Sequence, residues 1–437
     1  MNNAASSDCT NSRRYFVNFN QDCTSLAVGS QNGYRLFALN NSIDALEQIY
    51  NNTTEDSCIV ERLFSSSLVA VVSISTPRKL QVCHFKKGTQ ICNYSYSNTI
   101  LGVKLNRARL VVCMIDSICI HNIRDMKVLH TIRDTPRNPQ GLCALSTNNE
   151  HCYLAYPGSL TVGEVQIFDV MNLQAKTMIP AHESPVAALA FSPSGIRIAT
   201  ASEKGTVIRV FSVVDGSKVF EFRRGMKRCV AISSLVFSMC SGFLACSSNT
   251  ETVHVFKLEE TSNADFKRGD DSSWMGYLST YLPTQVSTVL SQGRAFSTAH
   301  LPVSGVRNCV GITVIQNQLR LLVATEDGVL YVYNIDPNEG GDLSLKVQHR
   351  LDGGMEETSE LDSVSNRTTT EHVNVEAASG STIGSYAGVL KGNPIGQMSG
   401  TDSEKFREMA AATESPPKGG FQFNDDQEYP PLTQKTD

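Results

Sequence analysis

Apolar and polar positions alternate with a period of two along most of this chain, in short runs that repeat about every 45 residues. A clear unit is Val186-Ala-Ala-Leu-Ala-Phe191, a polar turn, Ile198-Ala-Thr-Ala-Ser202, a second turn, and Val207-Ile-Arg-Val-Phe211. The same order appears in Phe16–Phe19, Ser25–Ser30 and Tyr34–Phe37, in Leu235–Phe237, Leu244–Ser248 and Val253–Phe256, and in Gly311–Val314, Leu321–Ala324 and Leu330–Tyr333. Less regular copies occupy about 60–98, 99–135 and 140–185. No stretch within these units sustains a helical period, so each predicts a small antiparallel sheet read from inner to outer strand. Seven such units fit between about residues 15 and 352. The expected fold is all-β, a seven-bladed β-propeller of degenerate WD40 type with a disordered C-terminal tail. It is degenerate because the usual G-H and W-D signatures are missing and the single tryptophan, Trp274, lies outside the repeats. No N-terminal strand is left over to complete the last blade, which predicts a ring closed without a strand-swapped clasp.

The flanks have another character. Residues 1–14 read as a flexible N-terminus with neither the basic start nor the apolar core of a secretory signal. From 353 to 437 Ser, Thr, Gly, Asp and Glu dominate, apolar periodicity vanishes and proline pairs appear. Such a segment buries too little surface to offset its ordering entropy, and it is expected to be disordered. Inside the sixth unit, about residues 259–300 form an insertion too long for an ordinary hairpin loop. Trp274, Tyr277, Leu278, Tyr281 and Leu282 recur there at spacings of three and four, an amphipathic stripe broken by Pro283 and flanked by polar residues. That pattern suits a loop that orders on contact with a bilayer interface.

Composition narrows the function. A net charge of −5 argues against bulk nucleic-acid binding. The 13 cysteines form no C-x-x-C and sit mostly in apolar strand runs, so they read as reduced core residues; neither a metal nor a cofactor is expected. No nucleophile elbow, phosphate-cradling glycine loop or zinc motif supports an enzyme.

The most informative tetrapeptide is Phe222-Arg223-Arg224-Gly225, between the fifth and sixth units. Adjacent side chains on a strand point in opposite directions, so the two arginines can serve two neighbouring pockets. Each guanidinium matches a phosphate bidentately. Aligning Ala199–Val207 with Ala245–Val253 puts Ser202 on Ser248 and Thr206 on Thr252, so equivalent hydroxyls occur on both units with the arginines between them. His182 precedes the first copy and His254 falls in the second, each a donor that can also carry charge.

Phe222-Arg-Arg-Gly225, with runs such as Cys58–Leu68, His84–Gly88, His121–His130 and Ala201–Thr206, resembles the PROPPIN family across roughly residues 15–352, and within it the second-isoform branch of the animal autophagy WD-repeat proteins. The resemblance implies a propeller that binds phosphatidylinositol 3-phosphate and the 3,5-bisphosphate. It implies a first site at His182, Thr200, Ser202, Gly205, Thr206, Arg209 and Arg223, and a second at Arg224, Ser248, Thr252 and His254, with Gly225 closing the motif. It also implies that the blade-six insertion enters membranes, and that the protein acts from the cytosol on preautophagosomal membranes and endosomes. A basic stripe of His84, Lys86, Lys87, Arg107, Arg109, Arg124 and Lys127 lies on the second and third units. Read alone it is as well a solvated face as a groove. The resemblance implies an acidic coiled-coil scaffold of the ubiquitin-like lipid-conjugation machinery as its partner, met by a protein that is monomeric in solution. The competing class is a soluble propeller scaffold, such as a ligase substrate receptor, with no lipid ligand.

Overall fold

The computed structural model describes residues 14–39, 42–225, 228–259, 293–352 and 402–414. Seven antiparallel sheets follow the chain in order. Blade one comprises β1 (Phe16–Phe19), β2 (Ser25–Ser30), β3 (Gly33–Ala38) and β4 (Glu47–Asn52). Blade two is β5 (Ile59–Arg62), β6 (Leu68–Val72), β7 (Lys79–His84) and β8 (Thr89–Ser95); blade three is β9 (Gly102–Leu105), β10 (Arg109–Cys113), β11 (Ile118–Asn122) and β12 (Val128–Ile132). Blade four is β13 (Ala144–Leu145), β14 (Tyr153–Pro157), β15 (Gly163–Asp169) and β16 (Gln174–His182). Blade five is β17 (Val186–Phe191), β18 (Arg197–Ser202), β19 (Val207–Ser212) and β20 (Lys218–Arg223). Blade six is β21 (Ile232–Phe237), β22 (Phe243–Ser248), β23 (Thr252–Lys257) and β24 (Ser297–His300). Blade seven is β25 (Asn308–Ile315), β26 (Gln318–Thr325), β27 (Val329–Asn334) and β29 (Leu345–Arg350); the two-residue β28 (Gly341–Asp342) instead pairs in parallel with β24 of blade six.

The alternation seen in the sequence has a direct cause here. The second strand of each blade is paired on both edges and covered on both faces by neighbouring blades, so β6 and β22 are buried at every residue. Fourth strands face solvent on one side, and β7 and β19 between them alternate. Apolar clusters fill the seams between adjacent blades.

Ring closure follows the sequence expectation. Blade one uses only N-terminal strands and blade seven only C-terminal ones. Leu26, Val28 and Phe37 pack with Leu322, Leu330 and Leu351 across that seam. Tyr15 N donates to Glu326 O at 2.8 Å, and Arg35 Nη1 donates to Leu351 O at 2.9 Å.

Two boundaries drawn from the sequence shift. Ser297–His300 form β24 and Leu301 is buried, so the blade-six insertion ends before residue 297. Within the tail read as disordered, Asp402–Thr413 form a helix, α1, whose Met409 and Ala412 are completely buried against blade two. The rest of 353–437 lies outside the described residues.

Because the unswapped seam rests on packing, Leu351→Ala should destabilise the chain by about 2–5 kcal/mol. Val214→Ala, at a side chain 70% exposed, should change stability by less than about 0.5 kcal/mol. Urea unfolding of both variants measures the difference.

Candidate functional site

In each blade the second-to-third turn and the crossing to the next blade lie at one end of the strands, and the other two turns at the opposite end. Ser202, Thr206, Arg223, Arg224, Ser248 and Thr252 all belong to the first end, at the seam of blades five and six. β20 holds the arginine pair there through Phe222. Its ring is buried and stacks on Phe256 of blade six, with centroids 4.8 Å apart. The backbone N–H of Arg224 then donates to Thr206 O at 2.9 Å, and Arg223 N donates to Gly293 O at 3.0 Å. Gly293 forms a parallel bridge with Phe222, so the chain leaving the blade-six insertion passes directly beside the arginines.

The second pocket is an alternating row on β22, its turn and β23. Arg224 Nη1 donates to Ser248 Oγ at 3.2 Å and to Thr250 Oγ1 at 3.4 Å. Ser248 Oγ lies 2.8 Å from Thr250 Oγ1, which lies 3.3 Å from Thr252 Oγ1, which lies 3.4 Å from His254 Nε2. Nδ1 of His254 is buried with no hydrogen-bond partner among the described residues. An unpaired buried polar atom is expensive. Thr250 was not picked out from the sequence.

The first pocket is arranged differently. His182, at the end of β16, presents Nε2 to Thr200 Oγ1 at 2.8 Å, and Thr200 in turn donates to Arg209 O at 3.4 Å. Thr200 is fully buried and bonded to both His182 and the strand, so it holds His182 in place. Arg209 donates Nη1 to Ala181 O at 2.7 Å and pairs through Nε with Glu221 at 2.7 Å; Lys218 reaches the same carboxylate at 2.6 Å. Glu221 therefore offsets much of the Arg209 charge, and half-buried Arg223 lies opposite Val207 at the end of β20. Gly205 joins the two pockets. It holds φ at +62°, a Cβ there would stand 2.2 Å from Val230 O, and its carbonyl accepts Arg224 Nε at 3.0 Å.

The histidines differ from the sequence expectation of chargeable donors. Burial first, and then the Arg209 guanidinium, push His182 down to about 4. Burial first, then Arg224 and His300, do the same to His254. Both imidazoles are neutral at pH 7, and the cationic field of the two pockets belongs to the arginines.

The basic stripe lies at the other end of the strands. Arg107 sits in the β9–β10 turn with its guanidinium 4.5 Å from the centroid of Phe64 in the β5–β6 turn. Lys86 and Lys87 are exposed on a 3-10 turn after β7, and Arg124 and Lys127 are exposed on the β11–β12 turn. The structure removes two members. His84 is buried, its Nδ1 accepts from Lys87 N at 3.3 Å, and burial and Lys87 lower its pKa. Arg109 turns away to donate to Val170 O of blade four at 2.8 Å. Trp274, Tyr277, Leu278, Tyr281 and Leu282 lie outside the described residues.

A cavity of about 550 Å³ opens at the blade-seven and blade-one seam, at positions equivalent to the first pocket. Strand register places Thr53 and Thr54 where blade five has Arg223 and Arg224, and Glu55, Asp56 and Asp352 line it. Arg14 and Arg35 also line it, so its charge is mixed and it lacks an adjacent arginine pair. Among the described residues no helix is long and apolar enough to cross a membrane.

The family model described as PROPPIN matches residues 14–352. The chain is 57% identical over 434 residues to the mouse WD repeat domain phosphoinositide-interacting protein 2, covering 97% of this chain and 96% of that one. It is 43% identical to the Caenorhabditis elegans autophagy-related protein 18 across 77% of this chain and 85% of that one. Among solved structures, the complex of KlAtg21 with the coiled-coil of AgAtg16 superposes with a TM-score of 0.62 at 28% identity, over 78% of this chain and all of the other.

The two depressed histidines make stability depend on pH. Unfolded imidazoles bind protons from about pH 6.5 downward while the folded ones do not until about 4. Their contribution is complete above pH 6.5 and is lost as pH falls through that window, by about 2 kcal/mol per histidine at pH 5. Thermal melts should show Tm dropping from pH 7 to 5, with a flatter slope in the His182→Gln/His254→Gln variant.

Proposed function

The chain belongs to the PROPPIN family, and we propose that it is a peripheral phosphoinositide effector that reads 3-phosphorylated inositol lipids through two pockets and brings lipid-conjugation machinery of autophagy to that membrane. The observation that supports the reading is Arg224, adjacent to a second arginine and already aimed at the hydroxyls of Ser248 and Thr250. Arg223 with Ser202, Thr206 and Gly205 would hold one phosphorylated headgroup. Arg224 with Ser248, Thr250, Thr252 and His254 would hold the second. Phosphatidylinositol 3-phosphate and the 3,5-bisphosphate are the expected ligands. Two weak headgroup contacts on one rigid body, joined by apolar insertion of the blade-six segment, give avidity that neither contact has alone.

Partner recruitment is assigned to the opposite strand ends, around Arg107, Arg124, Lys127, Lys86 and Lys87. The KlAtg21 structure is a complex with a coiled coil, and an acidic helix of that kind suits this basic rim. Separation of the two surfaces lets membrane and partner be held together, as an adaptor requires.

Replacing both Arg223 and Arg224 by Thr should abolish flotation with liposomes containing phosphatidylinositol 3-phosphate while leaving the melting transition in place. Each lost charge-assisted contact is worth about 1.5–3 kcal/mol, so single variants should retain partial binding. Undiminished flotation of the double variant would favour a soluble scaffold without a lipid ligand.

Arg107→Glu should remove pull-down by an Atg16-type coiled coil yet preserve flotation. In the wild type the pull-down should weaken steadily as salt rises, because exposed charges are screened over about 8 Å at physiological ionic strength. Unchanged capture by Arg107→Glu would reduce the stripe to a solvated face.

A further inference from the structure

We infer that the seam between blades two and three is a helix-docking groove whose resting occupant is α1, and that a partner helix binds there by displacing it. The displacement half rests on the partner reading above; the occupancy half rests on α1 itself.

A 12-residue helix is marginal in water on its own, so α1 owes its order to what it touches. Met409 and Ala412, three apart on one face, are fully buried and join the cluster formed by Leu63 and Phe64 of blade two with Ile123 and Met126 of blade three. The opposite side of α1, with Ser403, Arg407, Ala410 and Ala411, stays in solvent, and Phe406 beside Met409 is 48% exposed. Ser67 N donates to Ala412 O at 3.0 Å, which satisfies a carbonyl that the helix end leaves unpaired. Lys405 Nζ lies 5.7 Å from the centroid of the Tyr94 ring, and the Glu408 charge acts on His84. The helix thus lies across blade two at the strand ends that carry Lys86, Lys87 and Arg107.

Phe64 has φ of +44° and Met126 of +59°, a left-handed conformation that bulky residues rarely adopt. Gln21 Oε1 accepts from Phe64 N at 2.7 Å and Asn20 Nδ2 donates to Phe64 O at 3.0 Å, fixing the strained turn from blade one. An occupant carried on the same chain competes at a concentration that dilution does not change, so it lowers the apparent affinity of any incoming helix by the fraction of molecules in which the groove is open.

The test uses the full chain and, as probe, a fluorescent synthetic peptide of residues 400–416. Met409→Asp/Ala412→Asp alters only α1, so the groove itself stays native. This unlatched variant should bind the peptide about tenfold or more tightly than the wild type. Equal affinity would overturn the inference. As a second measurement on the unmodified chain, excess peptide should accelerate hydrogen exchange at the chain's own Met409 and Ala412 amides; unchanged exchange would also overturn it. The coiled-coil of AgAtg16 separates the two readings. Tighter binding to the unlatched variant supports displacement. Equal binding to both forms overturns displacement while the partner reading survives. Binding to neither form, with the peptide results as expected, supports occupancy by α1 and removes the partner reading.

Discussion

The candidate lipid surface depends on the stacking of Phe222 upon Phe256. That contact ties the outer strand of blade five to blade six, and the two residues after it inherit a fixed position. Arg224 N reaches Thr206 O and Arg224 Nε reaches Gly205 O, so the second arginine is braced against the blade it leaves while its Nη1 enters the blade it faces. A propeller offers this brace only at a seam, where the last strand of one blade crosses to the first of the next. Blade closure and site geometry are therefore the same problem, and a ring closed by packing and a few hydrogen bonds must keep all of its seams well filled.

Strand polarity supplies the second constraint. Because every blade is an antiparallel meander, turns fall into two sets at opposite strand ends. The arginine pair and its hydroxyl rows occupy one set, and the cationic turns of blades two and three occupy the other. A ligand at one set leaves the other open. The return of the blade-six insertion through Gly293, next to Phe222, places that segment's exit at the arginines. Headgroup recognition and bilayer contact would then act over a short distance.

Much of the fold was legible because burial in a propeller is periodic. Ile198–Ser202 reads as small and apolar because β18 is enclosed on both faces, and the same logic located blades five, six and seven to within a few residues. Closure without a strand-swapped clasp among the described residues was legible as well. Candidate site residues were found where two repeats carried matching hydroxyls, as with Ser202 and Ser248, which end equivalent strands. Thr250 was passed over because the alignment sets it against Lys204, and a match between copies cannot reveal a residue that only one copy uses. The charge state of His182 and His254 was misjudged because it depends on burial and on the nearby Arg209 and Arg224, which are tertiary facts. Thr200 likewise shows its positioning role only once its complete burial is known. The helix α1 escaped because two side chains, Met409 and Ala412, make its buried contact in a segment whose composition otherwise resembles a solvated tail.

Adjacent arginines that serve two separate pockets give the chain two headgroup sites. Isothermal titration of the full chain with a soluble inositol 1,3-bisphosphate headgroup counts those pockets directly. The account predicts two headgroups per chain, falling to one when Arg224 alone is replaced by Thr. A single headgroup per wild-type chain, or a stoichiometry that Arg224→Thr leaves unchanged, would contradict it.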